Sequence, residues 1–264
     1  MNIRLDGKTA VVSASTAGIG FAIASGLARA GASVVLNGRT QARVDAALAK
    51  LRASVPGAAA TGTAADLSDD TATEGFLRKH PHADILINNL GIFEPKPFLE
   101  IPDADWERFF RVNVLSGVRL ARHYAPGMVK NKWGRIQFIS SESGVQIPAE
   151  MIHYGMTKTA QLAVSRGLAE SLAGTGVTVN AVLPGPTASE GVGNFVAQLA
   201  AASAQTPAQV EEGFFKTMRP SSLIKRFATV DEVANMCVYL ASDQASATTG
   251  SALRVDGGVV RSIV

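Results

Sequence analysis

The chain has 264 residues, 47% of them hydrophobic and 18% charged, with a formal net charge of +3. That apolar content is ample for one large core, and the small charge with no Lys/Arg run disfavours nucleic acid as a partner. A single cysteine, Cys237, excludes an intrachain disulfide; no apolar stretch reaches membrane-spanning length and MNIRLDGKTAVV lacks a signal-peptide core, so a reducing cytoplasm is expected.

Residues 8–14, KTAVVSA, read as a strand that gives way to the turn STAGIG and a helical pattern, FAIASGLARAGA. Strand, glycine turn and helix within thirty residues mark the start of a βαβ unit. SVVLNGR (33–39) is the second strand, followed by a helix to about Leu51. AAATGTAADLS (58–68) is a weak third strand, and ADILINNLG (83–91) a strong, almost continuously apolar fourth. Such two-sided burial belongs to a parallel sheet covered on both faces. A long helix is expected over 103–130, a strand over 134–140, a helix over 150–173 and a strand over 177–185. Residues 186–228 are the least regular. A capped helix over 229–243 with Thr229 as N-cap and a last strand over 251–258 complete the chain. The expectation is a single doubly wound α/β (Rossmann) domain over 1–264, with a parallel sheet of about seven strands and helices on both faces.

The chemistry concentrates between Ser141 and Lys158. Tyr154 and Lys158 lie four apart on a helix and so share a face, while Ser141 ends the strand before it. A free phenol has a pKa near ~10, and bringing it to about 7 needs roughly 4 kcal/mol of preference for the phenolate. One ammonium about 4 Å away at an effective dielectric near ~20 supplies about that amount, although desolvation opposes it. Ser141 can offer a hydrogen bond to the same substrate oxygen. Gly18 and Gly20, at the start of the first helix, let a pyrophosphate approach backbone N–H groups and the positive helix end.

With these residues in view, the sequence resembles the short-chain dehydrogenase/reductase family in its short single-domain branch. The likeness rests on SASTAGIG (13–20), DL (66–67), NNLG (88–91), Asn113 in RVNV, Ser141, YGMTK (154–158), NAVLPGPT (180–187) and VDGG (255–258), in that order over about residues 5–258. It implies hydride transfer between an NAD(P) nicotinamide and a carbonyl or secondary alcohol (EC 1.1.1.-). Tyr154 would be the general acid/base, Lys158 would tune it and bond the nicotinamide ribose, Ser141 would orient the carbonyl, and Asn113 would hold a relay water. Ser13, Ser15, Gly18, Ile19 and Gly20 would form the cofactor turn. Asp66 with Leu67 would meet the adenine, Asn89 and Gly91 would line the cleft, and Pro184, Gly185 and Thr187 would flank the carboxamide. Residues 186–228 would be a substrate-side lid, and the assembly a homotetramer using the 103–130 and 150–173 helices and the tail.

At the end of the second strand Asn37-Gly38-Arg39 carries glycine where an NAD-selective acid would fall. A guanidinium suits a 2′-phosphate and a carboxylate would repel it, so NADP(H) is expected over NAD(H). Ala14 replaces a usual glycine and is acceptable only with φ below zero. Phe93, Glu94, Glu142, Val145, Gln146, His153 and the 186–228 segment with Phe195, Phe214 and Phe215 are candidate pocket walls, though His153 is better read as a surface or interface histidine. No His or Cys spacing suggests a metal. A 3-oxoacyl reductase is the leading substrate reading. Lys130, Lys132, Arg119 and Arg122 could then offer a basic patch to an acyl-carrier protein. A polyol or sugar-acid dehydrogenase is the alternative within the chemistry, a non-catalytic nucleotide sensor the alternative outside it. A sugar-nucleotide epimerase is disfavoured, because no separate C-terminal substrate domain is visible.

Overall fold

A computed structural model describes residues 2–203 and 205–263. Seven parallel strands form one sheet in the order β3-β2-β1-β4-β5-β6-β7. They are β1 (Thr9–Val12), β2 (Ser33–Gly38), β3 (Ala60–Ala64), β4 (Ile85–Asn88), β5 (Gly134–Ile139), β6 (Val177–Pro184) and β7 (Ala252–Val255). The helices are α1 (Gly18–Arg29), α2 (Gln41–Ser54), α3 (Asp70–Lys79), α4 (Asp103–Phe110), α5 (Ser116–Lys130), α6 (Ile152–Ser171), α7 (Glu190–Ser203), α8 (Pro207–Thr217) and α9 (Val230–Leu240). Among the described residues no helix is long and apolar enough to cross a membrane.

Side chains alternate across the sheet, and each strand therefore feeds two cores. Ala10, Val12, Ile85 and Ile87 face a cluster with α1, α2 and α9. Val11, Leu86, Ile136 and Phe138 face the other, with Phe76 of α3 and Leu120, Tyr124 and Met128 of α5. Each fully buried aliphatic or aromatic side chain contributes about 1.5–3 kcal/mol, which explains the unbroken apolar runs. The strand order reverses between β1 and β4, so the loops after these strands part and leave a crevice at the sheet's carboxyl edge.

Three local departures bear on the site. The 103–130 helix is continuous but contains a π turn, Arg111–Leu115, which loosens the backbone around Asn113. β3 stops at Ala64, which leaves Asp66 in the following loop rather than on the strand. Ala14 adopts φ +49°, contrary to the expectation of a negative φ. This left-handed turn costs roughly 1–2 kcal/mol for a non-glycine residue. Two hydrogen bonds hold it: Ala14 N donates to Asn37 Oδ1 (3.1 Å), and Asn89 Nδ2 donates to Ala14 O (3.0 Å).

Candidate active site

The glycine turn is packed to the limit. A Cβ on Gly20 would lie 2.5 Å from both Ala14 O and Asn89 Nδ2, so no larger residue fits there. Gly18 has φ +57°, and Ile19 follows it in the first turn of α1. Ser13 and Ser15 are buried, with hydroxyls turned inward. Ser13 Oγ accepts from Asn89 N and Leu90 N, and Ser15 Oγ donates to Val12 O. They shape the turn and tie β1 to its neighbours instead of presenting hydroxyls to the cleft. Ala17–Gly20, Asn89 and Arg43 line a cleft of about 330 Å³, closed on its other side by Ser189, Glu190 and Gly191.

At the end of β2, Arg39 is exposed and makes no hydrogen bond or ion pair among the described residues. Arg43, one turn further along α2, is also exposed and unpaired, and it lines the glycine-turn cleft. Reading the strand end alone misses Arg43, which lies in the first turn of α2 beyond the Thr40 N-cap. Asp66 stands close by. Hydrogen bonds from Ser68 hold its carboxyl below the ordinary range, burial opposes them, and Arg39 adds a smaller favourable interaction. Leu67 is 1% exposed and packs in the core, so only its backbone can face a ligand.

Ser141, Tyr154 and Lys158 converge at the mouth of the crevice. β5 delivers Ser141 just beyond its end, and α6 carries Tyr154 and Lys158 on one face. The Lys158 amine is 5.6 Å from the Tyr154 ring centroid and donates to Ile139 O (2.9 Å) and Gln161 Oε1 (3.2 Å). Burial pushes the Tyr154 phenol up to about 12; Ser141 and Arg219 favour the phenolate, and Glu142 opposes it. Burial also pushes Lys158 down to about 7. Desolvation of phenol and amine alike thus opposes the expected drop of the phenol toward neutrality. Both groups share one desolvated site, and the amine is directed at a carbonyl and an amide rather than at the phenol.

Asn113 is 1% exposed, with its side chain committed to the loop after β4: Nδ2 donates to Ile92 O and Thr157 Oγ1, and Oδ1 accepts from Ile92 N. Its carbonyl accepts from Gln161 Nε2 at 2.6 Å. A hydrogen-bonded line thus runs from Lys158 through Gln161 to Asn113. Gln161, three residues after the lysine, was not among the sequence candidates. Gly91 sits over this line, its Cβ position 3.4 Å from Lys158 Nζ and 3.6 Å from Asn113 Oδ1.

On the open side, Ser141 Oγ donates to Glu142 Oε2 (2.6 Å), and Ser143 Oγ donates to the same oxygen (2.5 Å). Glu142 is 4% exposed and is paired by Arg219 Nε at 2.9 Å. Arg219, just beyond α8, also meets Glu150 at 3.2 Å. The Phe93 ring stands edge-on to Tyr154, 6.3 Å between centroids. His153 corrects another expectation. It is fully buried, 4.1 Å from the Phe109 ring and 6.0 Å from Trp106, and neither ring nitrogen has a partner among the described residues. Burial holds its pKa below the usual imidazole value.

β6 ends at Pro184, and Gly185 permits contact with the Asp256 backbone, which a Cβ would strike at 2.6 Å. Thr187 is buried and donates to Gly185 O. Phe214 and Phe215 pack on each other and on Phe227, away from the sheet, while the Phe195 side chain lies outside the described residues. Arg119 is paired with Asp70, which removes one cation from the expected basic patch.

These residues fit a phosphate-bearing dinucleotide. The fit rests on a glycine cradle that a Cβ would fill, on the unpaired guanidiniums of Arg39 and Arg43, and on the cleft that Arg43 lines together with the glycine turn and Asn89.

The enoyl-(acyl carrier protein) reductase family model matches residues 13–260. The uncharacterized oxidoreductase YvaG of Bacillus subtilis is 45% identical over 263 residues, with both chains fully covered. The 3-oxoacyl-[acyl-carrier-protein] reductase FabG of Aquifex aeolicus is 33% identical, covering 98% of this chain and all of the relative. The crystal structure of L-sorbose reductase from Gluconobacter frateurii, complexed with NADPH and L-sorbose, superposes with a TM-score of 0.94 at 30% identity, both chains fully covered. Sheet order, glycine turn, Ser–Tyr–Lys set and these relatives agree: the chain belongs to the short-chain dehydrogenase/reductase family of oxidoreductases.

Proposed function

We propose that this protein is an NADPH-dependent reductase that converts a carbonyl to a secondary alcohol, with Tyr154 as the proton donor. The observation that carries this reading is the half-buried Tyr154 phenol set beside Ser141 and Lys158 at the carboxyl edge of the sheet, where the strand order reverses. A phenol held at about 12 keeps its proton at neutral pH, which is the form a reductive step needs.

The backbone of the Gly18–Gly20 turn would receive the pyrophosphate, Arg39 and Arg43 the 2′-phosphate, and Asp66 the adenine side. Asn89, Gly91, Pro184, Gly185 and Thr187 would border the nicotinamide half, with Lys158 on its ribose. When bound, the cofactor supplies a hydride to the carbonyl carbon. Tyr154 gives its proton to the carbonyl oxygen as negative charge grows there. Ser141 turns its hydroxyl from Glu142 to the same oxygen and stabilises that charge. Lys158 gains charge more readily once a phenolate stands beside it, and the hydrogen bonds through Gln161 to the Asn113 carbonyl hold its amine in place. The segment 186–228 serves as the substrate-side lid, and the protein works as a homotetramer.

Support comes from relatives whose names state carbonyl reduction and from the NADPH in the L-sorbose reductase structure. Two substrate classes follow from them, 3-oxoacyl thioesters and polyhydroxy ketones. The test is Tyr154→Phe. Ketone-dependent NADPH oxidation should fall by about 10²–10⁴-fold, as loss of a general acid does, while NADPH Kd stays within twofold. Undiminished turnover in the variant refutes the assignment. A wild type that binds NADPH but turns over neither substrate class favours a nucleotide sensor.

A further inference from the structure

Resting on the reductase reading above, we propose that Arg219 and Glu150 form a specificity site for a hydroxyl group on the substrate, so that the substrate is a neutral hydroxylated ketone. The guanidinium is clamped in place: Nε donates to Glu142 Oε1 at 2.9 Å, and Nη1 donates to Glu150 Oε1 at 3.2 Å and to Met218 O at 2.9 Å. Its side chain is 11% exposed. Nη2 makes no hydrogen bond among the described residues, and neither does Glu150 Oε2, on a side chain 32% exposed. The ion pair therefore leaves one donor nitrogen and one acceptor oxygen without a partner among the described residues. A hydroxyl can accept from the first and donate to the second, a match that neither a methylene nor a carboxylate reproduces.

The position is right for selection. Glu142 links Arg219 directly to Ser141, whose hydroxyl donates to the other oxygen of the same carboxylate at 2.6 Å. The Tyr154 phenol is within electrostatic reach of both Glu142 and Arg219. One carboxylate thus stands between Arg219 and the group that would orient the carbonyl. The charge balance sets the substrate's charge. Two carboxylates face one guanidinium, and among the described residues no further cation pairs with either carboxylate. A substrate carboxylate would meet net negative charge, whereas a neutral hydroxyl meets none. A site that bonds a substrate hydroxyl discriminates strongly against the analogue lacking it, because its buried polar groups are then left unpaired.

The experiment compares two four-carbon ketones, erythrulose and butan-2-one, which differ only in hydroxyl groups, in NADPH oxidation by wild type, Arg219→Met and Glu150→Gln. The readout is the ratio of kcat/KM values, which a purely structural role would leave unchanged because both ketones would suffer alike. Wild type should prefer erythrulose at least tenfold. Arg219→Met should lower that preference at least tenfold and Glu150→Gln at least threefold. The second variant keeps the Glu142 pair intact, so it decides the matter if the first fails to fold. An unchanged ratio in a folded variant, or a wild-type preference for butan-2-one or acetoacetate over erythrulose, overturns the proposal and leaves carbonyl reduction standing. A wild type that reduces none of these ketones, nor an acetoacetyl thioester, defeats the reductase reading and this site with it.

Discussion

Lys158 offers the sharpest quantitative test, because its environment makes folding depend on pH in a definite direction. It is 4% exposed, and burial brings its pKa from 10.5 to about 7. Below pH 7 the folded and unfolded chains both hold the proton, and the native state bears the full burden of a buried ammonium. Between about 7 and 10.5 the unfolded chain keeps the proton and the native protein has released it, so stability rises with pH at about 1.4 kcal/mol per unit from this residue. From pH 6.5 to 8.5 the gain is about 2 kcal/mol, since part of the lower half-unit lies near the native midpoint. Lys158→Met keeps the length of the side chain and removes the ammonium. Denaturant unfolding of both proteins without cofactor, at pH 6.5, 7.5 and 8.5 and one protein concentration, cancels every other titration in the difference. The variant should lose about 2 kcal/mol relative to wild type over that interval. A difference that stays flat shows that Lys158 is hydrated or charge-paired in the native protein and refutes the reasoning.

Two further outcomes follow from the cofactor side. Removing both guanidiniums, Arg39→Ala with Arg43→Ala, should weaken NADPH binding by about 10–100-fold, as loss of charge-assisted hydrogen bonds does, and leave NADH within twofold in fluorescence titrations. Equal losses for both nucleotides count against a 2′-phosphate site. Gly20→Ala should abolish saturable NADPH binding while the circular dichroism spectrum is retained, because its methyl group must displace Ala14 O and Asn89 Nδ2 from 2.5 Å. Normal affinity in that variant would show that the turn relaxes freely.

The sheet was legible because strands buried on both faces are predominantly apolar, as ILI of β4 and the Val-rich VTVNAVLP of β6 are. Tyr154, Lys158 and Ser141 were legible because helix periodicity and a strand end fix their relation. The rest depends on distances that spacing does not encode. Arg219 meets Glu142 across 77 positions, through a segment with no strong periodicity. Gln161 belongs to the site only because a π turn aims the Asn113 carbonyl at it. His153 is polar beside a catalytic residue, yet Phe109 and Trp106 enclose it. Ala14 takes a conformation its type disfavours because Asn37 and Asn89 hold its peptide from both sides.

The excursion between β6 and α9 leaves and rejoins the sheet at almost one point. Thr187 bridges to Ala228, Ala188 N donates to Ala228 O at 2.8 Å, and Ala228 N donates to Pro186 O at 2.9 Å. Such a clasp fixes where the stretch departs and returns, and its other ties to the body are few and local, among them Arg219 to Glu142, and Leu223 N and Ile224 N to Gly257 O. Lengthening or replacing that stretch raises chain-closure entropy only logarithmically. A combinatorial library over 192–227 that keeps Arg219, which holds Glu142 beside Ser141, can therefore rewrite what the crevice admits.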